Sequence, residues 1–183
     1  MPISPFRVLA ISGSLRSASS NGVILRAAQQ VAPPDVTIAL YEGLATLPHF
    51  NPDLDSALGD PLLPAVVREL RAAVENANAV VISSPEYAHG VPGSLKNALD
   101  WLVGGSEMVG KPVALWNTAP HATHAQASLA ETLRTMSAHL VSDTEFSIAL
   151  RGRSAEEVAA DIDIARQLLQ ALDTLRRQVP SNA

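Results

Sequence analysis

The chain of 183 residues contains no cysteine. Disulfides, thiolate nucleophiles and cysteine-held metals are therefore excluded, and the absence agrees with a cytoplasmic protein. Aromatic residues make up only 4%. No stretch approaches the ~18 consecutive apolar residues of a membrane helix, so no membrane partner is expected. The opening Met1-Pro2-Ile3-Ser4-Pro5 lacks the basic start and apolar run of a signal sequence. Lysines and arginines form no cluster and the formal net charge is −5, so nucleic acid is not an expected partner. Repeats and low-complexity linkers are missing, and residues 1–183 are expected to form one domain.

What the chain does have is alternation. Short β-rich runs at Arg7 to Ile11, Val36 to Leu40, Ala79 to Ser83, Val113 to Asn117 and Thr144 to Ala149 are separated by helical periods. The first, third and fourth runs are almost continuously apolar, as in a parallel sheet covered on both faces. Val36 to Leu40 is mixed and suits an edge. Helical stripes run through Val23 to Val31, Leu63 to Ala77, Leu95 to Leu102 and Leu129 to Leu140. A last helix opens on the capping box Ser154-Ala155-Glu156-Glu157, with a stripe through Val158, Ile162, Ala165, Leu169 and Leu172. Five repeats of strand and helix predict an α/β fold with right-handed crossovers. Asn51 to Pro64 is expected to be a surface loop and Pro180 to Ala183 a frayed tail.

In such sheets ligands sit beyond the carboxyl ends of the strands, where the strand order reverses. The loop after the first strand reads Gly13-Ser-Leu-Arg-Ser-Ala-Ser-Ser-Asn21. A hydroxyl-rich loop that opens a helix suits an anion, because the first helical turn leaves backbone N–H groups unpaired and carries the positive end of the dipole. Ser14, Ser19 and Ser20 supply hydroxyls, and Arg16 a permanent charge. The same residues also serve as ordinary turn formers and caps, with Asn21 a possible N-cap. The loop matches neither Gly-x-Gly-x-x-Gly nor the Gly-Lys-Ser/Thr ending of triphosphate loops, which points to a monophosphate.

The loop after the third strand is Pro85-Glu-Tyr-Ala-His-Gly-Val-Pro-Gly-Ser-Leu-Lys-Asn-Ala-Leu-Asp-Trp101. Its prolines and glycines fix backbone donors and acceptors in place, which suits the edge of a flat heterocycle. Tyr87 and His89 could flank a ring, or be a half-wet tyrosine and a solvated loop histidine. Lys96 and Asp100 have the spacing of a weak surface pair. Trp101 and Trp116 read as core or subunit contacts. His121 and His124, without a neighbouring acid or thiol, fall short of a metal site.

Together, the two segments resemble the NADPH-dependent FMN reductase family, which includes quinone, azo-dye and chromate reductases. The resemblance implies a flavodoxin-like three-layer sandwich around a five-stranded parallel sheet in the order 2-1-3-4-5. It implies that Ser14, Arg16, Ser19, Ser20 and Asn21 hold the phosphate of FMN. It also implies that Pro85, Glu86, Tyr87, Ala88, His89 and Gly90 run along the isoalloxazine ring. Many relatives carry Asn at the position of Ala88, where only backbone contacts survive the change. The loop after the fourth strand, Thr118-Ala119-Pro120-His121-Ala122-Thr123-His124, lacks the glycines common in the family. Thr118 and Ala119 are its candidates for ring contact. No residue is assigned as catalytic, because hydride passes directly between stacked rings; Tyr87 or His89 could protonate a quinone-like acceptor. The implied activity is ping-pong transfer of hydride from NADPH or NADH, through FMN, to a small-molecule electron acceptor: a quinone, flavin, azo compound or metal oxyanion. A homodimer or homotetramer is implied as well. The competing reading is a flavodoxin-like electron carrier that does not oxidise nicotinamide.

Overall fold

The computed structural model describes residues 5–55, 61–150 and 152–179. The four principal strands are β1 (Phe6–Ser12), β2 (Val36–Tyr41), β3 (Ala79–Ser83) and β4 (Pro112–Asn117). They are parallel, and the sheet runs β2-β1-β3-β4 with a fifth position beyond β4, the flavodoxin-like order expected. The helices are α1 (Ser20–Val31), α2 (Ala65–Asn76), α3 (Gly93–Val103), α4 (Thr123–Thr135), α5 (Ala155–Ala159) and α6 (Ile162–Arg177).

The alternation of side chains along each strand sorts the core into two layers. Val8, Ala10, Val81, Ala114 and Trp116 pack with α1, α5 and α6 on one face. Leu9, Ile11, Val80, Ile82 and Leu115 pack with α2, α3 and α4 on the other. Because both faces are covered, β3 and β4 are buried along their whole length. In β2 buried Val36 and Ile38 alternate with exposed Thr37 and Ala39, as its edge position requires. Trp101 and Trp116 are both core residues. The Trp101 indole N–H donates to the Pro48 carbonyl at 2.8 Å, and its ring meets Phe50 edge-on, docking segment 47–50 onto α3.

Three expectations need correction. The fifth strand is not continuous over Thr144 to Ala149. Its place beside β4 is filled by two fragments, β5 (His139–Leu140) and β6 (Phe146–Ser147), on either side of a 3-10 turn at Ser142–Thr144. The Thr144 hydroxyl donates back to the Val141 carbonyl at 2.5 Å, closing that turn and interrupting the strand. Leu140 is therefore a strand residue and does not belong to the fourth helix. That helix ends at Thr135 because Ser137, at φ 59°, turns the chain without a glycine.

The last helix is also two. The Ser154–Glu157 capping box is present, but it opens only the five-residue α5. Asp161 then caps α6, its carboxylate accepting from the N–H groups of Asp163 and Ile164. This break shifts the buried stripe to Ile164, Leu168, Ala171, Leu172 and Leu175, leaving Ile162 74% and Leu169 40% exposed. Within Asn51 to Pro64 a 3-10 turn forms at Pro52–Leu54, and residues 56–60 lie outside the described residues. The expected tail at 180–183 and the opening residues 1–4 lie outside them as well.

Candidate functional site

The register of the sheet sets the site. Ser12 of β1 pairs with Ser83 of β3, and Ser83 with Trp116 of β4, so three strands end level with one another. The Gly13 N–H donates to the Ser83 carbonyl at 2.8 Å. A side chain at Gly13 would place its first carbon 2.5 Å from Ser84 Oγ and 3.0 Å from Leu95. Glycine is what allows the first and third loops to approach this closely.

Asn21 joins all three loops. It is 5% exposed, and its side-chain oxygen accepts from the Ser83 hydroxyl at 2.9 Å and the Thr118 hydroxyl at 3.1 Å. Its amide nitrogen lies 3.5 Å from Ser19 Oγ. The N-cap of α1 is Ser19, whose hydroxyl oxygen accepts from the Asn21 N–H at 3.2 Å. Ser19 and Asn21 are thus committed to internal contacts. Ser14, Ser20 and the exposed Arg16 occupy the outer side of the loop. The N–H groups of Ser20 and Gly22 find no acceptor among the described residues, and the Arg16 guanidinium makes no hydrogen bond or ion pair among them.

Beside this loop, a cavity of about 280 Å³ is lined by Ser14, Arg16, Arg26, Tyr41 and Glu42, among others. Burial pushes the Tyr41 phenol up to about 12, with the nearby Glu69 charge acting in the same sense, so it remains a neutral donor at physiological pH.

The β3 loop is built differently. Tyr87 and Gly90 exchange both backbone hydrogen bonds, at 3.1 and 2.9 Å, around Ala88 (φ 49°) and His89 (φ 62°). Two left-handed residues inside a two-residue turn is the type I′ pattern, which favours Asn and Gly. Here it is made by Ala and His, at about 1–2 kcal/mol per residue. Pro85 and Glu86 are half-buried, and Tyr87 projects outward, 57% exposed.

Glu86 reaches the neighbouring loop. One carboxylate oxygen accepts from the Ala125 N–H in the first turn of α4 at 2.8 Å, and the other lies 3.0 Å from His89 Nδ1. The Ala125 N–H, helped by the His89 and His124 rings against the desolvation of burial, holds the Glu86 carboxyl below the usual carboxylate range. The His89 ring meets His124 edge-on, with centroids 4.5 Å apart.

In the β4 loop, Thr118 is buried beneath Asn21 while Ala119 is exposed. Asn117 shapes this loop, accepting from the Ala119 N–H at 2.8 Å and donating to the Ala122 carbonyl at 3.3 Å. Sequence reasoning missed Asn117, Ser83 and Ser84. The available signal was their position, as polar residues closing otherwise apolar buried strands at the carboxyl edge. His121 and His124 belong to no group of three or more metal-binding side chains among the described residues. Lys96 and Asp100 do form the expected ion pair.

All thirteen predicted site residues thus gather at one edge of the sheet, in three adjoining loops. Residues 6–151 match the family model for NADPH-dependent FMN reductase. The chain is 34% identical to an NAD(P)H-dependent FMN reductase of Pseudomonas aeruginosa, over 94% of its own length and 96% of that protein. It is 36% identical to a quinone reductase of Escherichia coli over 111 residues, 60% of this chain and 57% of that protein's length. Among solved structures, the NAD(P)H:(acceptor) oxidoreductase FerB of Paracoccus denitrificans superposes with a TM-score of 0.80 at 27% identity, covering 95% of this chain and 99% of that one. The chain belongs to the NADPH-dependent FMN reductase family.

Proposed function

We propose that the protein is an FMN-dependent NAD(P)H oxidoreductase that passes hydride from NADPH or NADH to a small-molecule acceptor in a ping-pong sequence. The donor set of the first loop is the observation that carries this reading. Two amides at the start of α1 and a guanidinium that have no partner among the described residues, with the hydroxyls of Ser14 and Ser20, suit a phosphate monoester. FMN, when bound, supplies the hydride chemistry, and the protein supplies binding, orientation and electrostatics.

In this reading Arg16, Ser14 and Ser20 grip the phosphate, with Ser19 and Asn21 holding the loop in shape. The backbone of Pro85 to Gly90 and the loop of Thr118 and Ala119 would hold the ring between them. Exposed Tyr87 and His89 stand beside the open face, where nicotinamide and acceptor take turns. A single shared face is what makes the sequence ping-pong. In this reading either side chain supplies the proton that a reduced quinone oxygen takes up. The acceptor class extends to quinones, flavins, azo compounds and metal oxyanions, as family likeness suggests. We extend the reading to a homodimer or homotetramer on the same ground. No helix among the described residues is long and apolar enough to cross a membrane.

The test is steady-state oxidation of NADPH and NADH by the purified protein with FMN and a quinone. Parallel double-reciprocal lines at varied quinone support the reading. Flavin binding without nicotinamide oxidation would instead make the protein an electron carrier.

A further inference from the structure

The two loops that flank the proposed ring site are joined through one side chain. Among the described residues, the Glu86–Ala125 contact is the only hydrogen bond between segment 85–91 and segment 118–125. The first turn of α4 needs an acceptor, because a helix start leaves its N–H groups orphaned. Its own N-cap is Ala122, whose side chain offers none. Glu86 supplies that acceptor from another loop, and its second oxygen meets His89, one of the two left-handed residues of the turn. The Glu86 side chain is only 12% exposed, whereas that of His89 is 76% exposed. Both oxygens of Glu86 are therefore occupied by the protein, one across the loop boundary and one within the turn.

We infer that Glu86 is a positioning residue: it caps α4 from the β3 loop and so sets the spacing between the two walls of the ring site. This rests on the flavin reading above for its functional meaning, though not for its geometry. It differs from the role that family resemblance gives this position, which is direct contact along the ring. It also explains how a turn that places a β-carbon-bearing Ala88 and His89, without a glycine, in the left-handed region is held in one conformation. The turn is closed on itself by Tyr87 and Gly90 and anchored externally by Glu86.

Two variants separate positioning from contact. Glu86→Ala removes the acceptor, while Glu86→Gln keeps an oxygen able to accept from the Ala125 N–H. In the apo-protein, hydrogen exchange at Ala125 should speed up by about tenfold or more in Glu86→Ala and by less than about threefold in Glu86→Gln. The FMN dissociation constant should follow the same order, weakening by about tenfold for Ala and staying within about threefold for Gln. Unchanged exchange at Ala125 in Glu86→Ala would overturn the inference. So would a Gln variant as weak in FMN binding as the Ala variant, since that pattern requires the carboxylate charge itself. Should the wild type bind no FMN, the flavin reading fails on its own, and exchange at Ala125 still decides whether the cap exists.

Discussion

The first and third loops meet the same proposed ligand with opposite constructions. The β1 loop is relaxed, since none of residues 13–21 has a positive φ and its shape follows from a cap at Ser19 and one buried amide at Asn21. Its outer donors, the Ser20 and Gly22 N–H groups and the Arg16 guanidinium, have no partner among the described residues. The β3 loop holds two non-glycine residues at positive φ, and its polar side chain Glu86 is fully engaged. An anion is held by donors that are free to close on it. A flat ring needs a wall whose spacing is fixed before the ring arrives. The difference teaches that strain here sits with the surface that must be rigid, while the unpaired charge sits with the anchor.

The largest effect should come from breaking the junction between these regions. Asn21→Ala strands the Ser83 and Thr118 hydroxyls, each worth about 1–3 kcal/mol if left without an acceptor. We expect a loss of about 2–6 kcal/mol in chemical denaturation and weak FMN binding together. Full stability in that variant would mean that the three loops are held independently.

Arg16→Ala acts on the anchor alone. A charge-assisted hydrogen bond contributes roughly 1.5–3 kcal/mol, so FMN affinity should fall by about tenfold to a hundredfold with the melting temperature of the apo-protein unchanged. An unaltered dissociation constant would remove Arg16 from the phosphate site.

On the rigid wall the expected change is a gain. Ala88→Asn places at φ 49° a residue that tolerates the left-handed region, and stability should rise by about 0.5–1 kcal/mol, or about 2 °C in Tm. FMN affinity should stay within about threefold, because the wall acts through its backbone. Tenfold tighter binding would show that the amide makes its own contact with the ring.

The smallest effect concerns acid. The Glu86 carboxyl lies below its ordinary value in the folded protein, so its contacts with Ala125 and His89 are complete above that ordinary value. They weaken as pH falls through the lowered value, where His89 and His124 are the groups that face the carboxyl. FMN affinity should therefore fall off in acid less steeply in Glu86→Gln than in the wild type. Identical acid limbs would place the sensitivity elsewhere, with Asp35, Glu156 and Asp161 as the other carboxyls held low.

Much of this was legible beforehand because it depends on local chemistry. Buried runs at Ala79 to Ser83 and Val113 to Asn117 read as central strands, and the serine-rich turn after Ile11 as the opening of a helix. What escaped was set by tertiary context. Nothing in Met136-Ser137-Ala138 announces a left-handed residue, and the Thr144 hydroxyl that splits the edge strand looks like any β-branched residue in a β-rich run. Asp161 appears to periodicity as one polar position in a long helix, yet it caps a new one and rotates the stripe away from Ile162. At the carboxyl edge of the sheet, which residues meet was readable while their orientation was not. Asn21 turns inward to two hydroxyls, and Glu86 reaches across to α4.

Fluorescence titration of FMN with the apo-protein, for the wild type beside Arg16→Ala, tests the account most directly. Stoichiometric quenching by the wild type, and a curve displaced by about tenfold or more in the variant, is the predicted result. Flavin fluorescence that stays constant as wild-type protein is added would contradict it.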